Sequence, residues 1–261
     1  MLSYQHAYHA GNAADLHKHV ALAELIARLT AKPRGIAYVE THAGRGVYDL
    51  DGAEARKTGE AAEGIGRIAP DPSTPFGRAL AACRAAHGPA AYPGSPAIAR
   101  ALLRTQDRMT LMELHPAEHA ALRAALAGDG VAIHRRDGFE GLLALAPLKP
   151  RKGLVLVDPS YEIKTEYAAA AAFARRLLAT WPEATLMIWY PLLPAGRHAE
   201  LVAGLGPLPC LRDEVAFARP PARGMTGSGL ALVNPPHGAA AVLAAARAQA
   251  GLVFAARESQ A

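Results

Sequence analysis

The stretch LVLVDPSY, residues 154–161, is a short apolar run that breaks off into Asp158, Pro159, Ser160 and Tyr161. An uninterrupted run of Leu and Val of this length, bounded by turn formers, reads as a strand buried on both faces, and such strands belong to parallel sheets. Its exit has two readings. Asp, Pro and Ser are common turn formers, so the end is an ordinary step from strand to loop. Alternatively it is a cup, in which a carboxylate, a backbone carbonyl and an aromatic ring meet a flat, amine-bearing ring.

Comparable runs flank it at IAYVETH (36–42), MTLMEL (109–114), GVAIHR (130–135) and TLMIWYP (185–191), followed by LRDEVAF (211–217) and GLALVNP (229–235). Between them lie Ala/Leu/Arg-rich segments with helical spacing, such as 97–104, 117–127 and 167–180. The alternation predicts an α/β fold with a mostly parallel seven-stranded sheet, five strands parallel and a hairpin-like pair closing it. Residues 43–108 separate the first two strands, far more chain than a crossover helix requires. We therefore expect residues 47–90 to form a small helical insertion, with 1–46 and 91–261 making the main domain.

Composition excludes several classes. A chain of 261 residues that is 51% hydrophobic can bury a sizeable core. No apolar run is long enough to span a membrane, and the amino end, MLSYQHAYHAGNAADLHKH, is polar and histidine-rich, so a cytoplasmic protein with no leader or anchor is expected. Cys83 and Cys210 lie far apart without metal-ligand spacing, and both are expected to be reduced core residues. Lys and Arg outnumber Asp and Glu by 28 to 23, which favours an anionic partner without identifying one.

In open α/β sheets ligands sit beyond the carboxyl ends of the strands. The first strand ends in Glu40-Thr41-His42-Ala43-Gly44-Arg45-Gly46, whose glycines let backbone approach a ligand. The second ends in Glu113, the third leads into Asp137-Gly138, and the fourth ends in Asp158. A glycine turn followed by a carboxylate on the second strand is how such sheets hold an adenosine, which suits NAD and S-adenosylmethionine equally. The full G-x-G-x-x-G pattern is missing, and this tilts the choice away from a dinucleotide. His6, His9, His17 and His19 read either as surface residues or as a metal site; no Cys or acid nearby completes a ligand set, so no metal is expected.

The strand end Asp158-Pro159-Ser160-Tyr161 resembles the Asp-Pro-Pro-Tyr box of adenine-N6 methyltransferases. Together with the amino-terminal segment, THAGRG, KTGEAAEGI, YPGSP, LMELHP, RDGF, YEIKTEY, WYP and RGMTGSG, it resembles the RlmJ-type family, which methylates one adenine of 23S ribosomal RNA. These segments run in order from residue 1 to about 236. One departure is Ser160, where the family box has Pro.

The resemblance implies a Rossmann-like class I methyltransferase fold that uses S-adenosylmethionine, releases S-adenosylhomocysteine and acts as a monomer on 23S rRNA. It assigns the donor site to Lys18, His19, His42, Ser95, Glu113, Asp137, Gly138 and Asp158. Chemically, Glu113 suits a ribose diol, Asp137 the donor's adenine amine, and Ser95 with Lys18 or His19 its carboxylate. The catalytic groups would be Asp158, Pro159 and Tyr161: the first two accept the hydrogens of the target amine and the ring of the third stacks on the base. Tyr4, Lys164 and Arg223 are expected to contact the RNA. Rival readings are an adenine of DNA or another RNA, a protein glutamine, a dinucleotide oxidoreductase, or a non-catalytic RNA-binding protein with a degenerate box.

Overall fold

The computed structural model describes residues 5–255. In chain order its strands are β1 (Ala37–Glu40), β2 (Val47–Asp49), β3 (Ala91–Pro93), β4 (Arg108–Met112), β5 (Val131–His134), β6 (Gly153–Val157), β7 (Ala184–Leu192), β8 (Cys210–Ala216) and β9 (Gly227–Val233). Seven of them form one sheet in the order β5-β4-β1-β6-β7-β9-β8. The five strands from β5 to β7 are parallel, and β9 runs antiparallel to both its neighbours. Every apolar run read as a strand is one. The connection after β1 goes to β4 and the connection after β5 returns to β6, so the chain order reverses between β1 and β6, and their carboxyl ends stand side by side.

The alternation of β6 explains how the sheet is covered. Leu154 and Leu156 enter one core with α1 (Ala13–Thr30), α4 (Ser95–Leu102) and α9 (Ala239–Gln249). Val155 and Val157 enter the other, with α7 (Glu166–Thr180) and α8 (His198–Leu205). Successive strand residues point to opposite faces, so a run of four aliphatic residues needs cover on both sides.

The helix α1 is the element that composition concealed. Asn12 caps it, accepting the Asp15 amide at 2.9 Å. From Ala14 to Ala23 every residue is buried, including Asp15, His17, Lys18 and His19. Within the stretch between β1 and β4 lie α2 (Ala53–Thr58), two short 3-10 turns, and α3 (Pro75–His87), and β2 pairs antiparallel with β3. Phe76, Ala79 and Leu80 of α3 share the core of α1. Gly64 lies directly on the amino-terminal turn: a Cβ there would come within 2.0 Å of the Gly11 carbonyl oxygen, which accepts the Ile65 amide at 2.8 Å.

One expectation about the core fails. Cys83 is buried, but Cys210 is exposed because it opens β8, the edge strand.

Glu40, the last residue of β1, is fully buried and ties that strand to α4. Its Oε1 accepts the Tyr38 hydroxyl at 2.6 Å and its Oε2 the Ser95 hydroxyl at 2.7 Å. Burial pushes its carboxyl up to about 8, against the opposing pull of those hydroxyls and of Lys18. The folded chain therefore holds a proton that the unfolded chain releases from about pH 4.5 upward, and the stability this represents is lost as pH rises through about 8. Glu40→Gln keeps the shape and cannot ionise. Its denaturation midpoint in urea should rise relative to wild type between about pH 5 and about pH 9; a difference that stays constant with pH would show that Glu40 is ionised throughout.

Candidate active site

At the tip of β6, the Asp158 side chain meets the amino-terminal helix. Lys18 Nζ donates to Asp158 Oδ2 at 2.6 Å and lies 3.1 Å from Asp15 Oδ1. Asp15, one helical turn before Lys18, also accepts the Gly11 amide and the His6 ring, both at 2.9 Å. Burial alone would raise the Asp15 carboxyl, yet His6, Lys18 and His19 packed around it, with the His6 hydrogen bond, hold it well below the ordinary carboxylate range. An ammonium thus sits between two carboxylates in a nearly dry site, where charges persist only if paired.

The glycine turn after β1 closes over the next strand. Gly44 and Gly46 adopt left-handed conformations (φ +64° and +84°), and the Gly44 amide donates to Glu113 Oε2 at 2.8 Å. The His115 amide takes Oε1 at 2.7 Å. Each carboxylate oxygen keeps a second lone pair, which is the acceptor geometry a vicinal diol requires. His42 packs edge-on against Phe139 at 5.3 Å, and burial lowers its ring to about 4 despite Asp158 and Asp137 nearby. It is neutral at physiological pH. Asp137 caps α6 (Gly138–Leu145), accepting the Glu140 amide at 2.9 Å. A Cβ at Gly138 would stand 1.9 Å from the Thr41 carbonyl oxygen, so only glycine fits where α6 meets the turn.

Beyond Asp158 the chain bends sharply. Tyr161 is a non-glycine residue at φ +55°, a conformation that costs about 1–2 kcal/mol and persists only where its surroundings hold it. Its hydroxyl donates to the Trp189 carbonyl at 2.7 Å, and its ring lies against Tyr167 at 4.4 Å. The Glu162 amide donates to the Ser160 hydroxyl oxygen at 3.4 Å, and the Glu166 amide donates to the Ile163 carbonyl at 2.9 Å.

The structure therefore brings Lys18, His42, Asp137, Gly138 and Asp158 together, with Glu113 on the adjoining turn. His19 and Ser95 face inward: His19 Nδ1 is 2.9 Å from the Tyr92 hydroxyl, and Ser95 donates to Glu40. Lys164 is exposed on the loop after the box, and Arg223 is exposed between β8 and β9, at the same sheet edge, where Thr226 bonds Leu192 at the end of β7. Tyr4 lies outside the described residues. Asp15 escaped sequence reasoning as a neighbour of the Asp158 carboxylate. The three-residue spacing of Asp15 and Lys18, a helical ion-pair spacing, was the available signal. Among the described residues no group of three or more His, Cys, Asp or Glu side chains is placed to hold a metal ion, and no helix is long and apolar enough to cross a membrane.

Comparison with known proteins gives the chain its family. Two curated relatives, each named ribosomal RNA large subunit methyltransferase J, come from Haemophilus influenzae and Escherichia coli; they are 38% and 37% identical, over 90% of this chain and 88% of theirs. The crystal structure of a Legionella pneumophila protein superposes with a TM-score of 0.80 at 30% identity, covering 97% of this chain and 99% of that one. Residues 33–247 match the model of the family described as ribosomal RNA large subunit methyltransferase D, RlmJ. That span includes the glycine turn, Glu113, Asp137 and the Asp158 box, and the chain belongs to this family.

Proposed function

We propose that the chain transfers a methyl group from S-adenosylmethionine to the N6 amine of one adenine in 23S ribosomal RNA. The observation that carries this reading is the Asp158 carboxylate, fixed by Lys18 at the tip of β6 beside a strained Tyr161, in a chain whose relatives bear the name of a large-subunit rRNA methyltransferase.

The residues at the strand ends fit the donor. Glu113 would take its ribose hydroxyls and Asp137 its adenine amine, while Gly138 lets the α6 terminus approach. Lys18 would meet its amino-acid end, with His19 and Ser95 behind it bonded to Tyr92 and Glu40, and His42 would pack beside it. The bound donor supplies an electrophilic methyl group on a sulfonium. An adenine amine is a weak nucleophile because its lone pair is delocalised into the ring. Asp158 and the Pro159 carbonyl accept its two hydrogens and so favour a tetrahedral nitrogen. Tyr161 bears on the base, and Asp158 receives the proton released on transfer. A paired adenine hides this amine, so the target enters unpaired or flipped. Tyr4, Lys164 and Arg223 meet the RNA, the two cations through phosphates.

Transfer of labelled methyl groups to 23S rRNA, DNA and protein tests the reading. Wild type should label only the RNA, at adenine N6. Asp158→Ala should abolish transfer while leaving the fold intact. Glu113→Ala should weaken donor binding by about 1–3 kcal/mol, because two hydroxyls lose their acceptor. Labelling of DNA or protein in place of rRNA would overturn the assignment.

The electrostatic part is read separately. RNA affinity should fall steeply with salt, and Lys164→Ala combined with Arg223→Ala should reduce the slope of log K against log salt by about 2. An unchanged slope would remove both cations from the RNA interface.

A further inference from the structure

Behind the site runs a buried chain of hydrogen bonds from Trp189 to Arg247. Trp189 Nε1 donates to Ser228 Oγ at 2.9 Å, Ser228 Oγ lies 2.9 Å from His17 Nδ1, and His17 Nε2 lies 3.2 Å from Asp213 Oδ2. Arg247 pairs with the other oxygen of Asp213. His17 and Ser228 are fully buried, and Asp213 is 3% exposed. Four segments far apart in sequence meet here: α1 beneath the site, β7, the last pair of strands, and α9.

Chemistry fixes the direction of every bond. An indole nitrogen can only donate, so Ser228 Oγ accepts from Trp189; a carboxylate can only accept, so His17 donates to Asp213 through Nε2 and its Nδ1 accepts the Ser228 hydroxyl. His17 must then carry its proton on Nε2, where the acceptor is the Asp213 carboxylate. Burial, reinforced by Arg247, lowers the His17 ring to about 3, so it is neutral and has one proton to place. The Asp213 carboxylate selects the tautomer that leaves Nδ1 free to accept. No link can be reversed, so the indole has one preferred orientation.

Trp189 is worth orienting because of where it stands. Val157 and Ile188 are register partners, so the next residues, Asp158 and Trp189, are neighbours at the rim. Lys18 Nζ lies 5.7 Å from the indole centroid, and the Tyr161 ring lies at 5.9 Å. The Trp189 carbonyl also accepts the Tyr161 hydroxyl. The indole is partly exposed while its nitrogen is committed inward. One residue thus borders the carboxylate, the ammonium and the ring of the site.

We propose that Trp189 forms a wall of the target-base pocket and that His17 is a positioning residue, holding the indole through Ser228. The proposal rests on the adenine acceptor argued above. It predicts a division of labour: the relay sets the pose of the base and leaves the donor site untouched.

Steady-state methylation, donor titration and indole emission together test it, using wild type, Trp189→Phe, Ser228→Ala, His17→Phe and His17→Gln. Loss of the nitrogen or of the relay should lower kcat about ten- to a hundredfold, the usual consequence of a misplaced reactant, with S-adenosylhomocysteine affinity changed less than about twofold. Glutamine can accept and donate as His17 does, and should restore kcat to within about threefold of wild type. Adenosine added to the S-adenosylhomocysteine complex should change the emission of wild type. The only other tryptophan, Trp181, packs over Gly153 at the opposite end of the sheet and does not report on the site. Trp189→Phe should lose the change, and Ser228→Ala should alter it. Variants that keep wild-type kcat and an unaltered emission response would overturn the proposal. So would a loss of kcat that comes only with an equal loss of donor affinity and thermal midpoint. If wild type transfers no methyl to RNA, the proposed function fails, and the adenosine response still decides whether Trp189 borders a base site.

Discussion

Lys18 is held between Asp15 and Asp158, and the architecture around the site depends on that placement. A buried carboxylate needs a partner, a buried ammonium needs more than one, and removing either member leaves a charge that costs about 3–5 kcal/mol. The amino-terminal segment must therefore lie inside the protein. It does so as a helix whose polar residues each find an acceptor or donor, with Asn12 capping it and Asp15 gathering the Gly11 amide, His6 and Lys18. The 3-10 turns after α2 press on this assembly: Ile65 bonds Gly11, Glu60 takes both Asn12 and His9, and the ordering of residues 6–12 depends on chain from beyond the first strand.

The sheet was legible because its signal is local. A strand buried on both faces must be apolar at every position, and β6 and β7 show this directly as Leu-Val-Leu-Val and Leu-Met-Ile-Trp. The ribbon of β2 and β3 was not legible. Each strand has three residues, their pairing partners are more than forty positions apart, and Val-Tyr-Asp and Ala-Tyr-Pro carry no periodicity of their own. The helix α1 was missed for a different reason. Its histidines, aspartate and lysine read as surface chemistry, and only tertiary partners such as Tyr92, Ser228 and Asp158 make their burial tolerable.

The site shows the same division. Acids at successive strand ends could be found from the residues just after each apolar run, because topology brings those ends to one edge. Which acid serves which purpose could not. Glu40 sits at such an end as plainly as Glu113 does, yet it is sealed beneath the surface with Tyr38 and Ser95, while Glu113 stands at the glycine turn. Neighbouring positions on α1 diverge as sharply. His17, Lys18 and His19 are successive residues about 100° apart around the helix; one faces Ser228, one Asp158 and one Tyr92.

Ser160 shows how a departure from a motif can be absorbed. Proline would fix φ at that position and lower the entropy lost when the bend forms, an effect of about 0.4–1 kcal/mol. Serine gives up that restriction and brings a hydroxyl and an amide instead. Here the hydroxyl oxygen accepts the Glu162 amide at 3.4 Å, and the Glu166 amide donates to the Ile163 carbonyl at 2.9 Å, so local hydrogen bonds span the bend up to the start of α7. The left-handed Tyr161 is kept in place by these bonds and by its own hydroxyl on Trp189. Rigidity that proline would supply through a restricted unfolded state is supplied here by native hydrogen bonds along the bend. The groups proposed to meet the adenine amine, the Asp158 carboxylate and the Pro159 carbonyl, precede the substituted position and do not depend on its side chain.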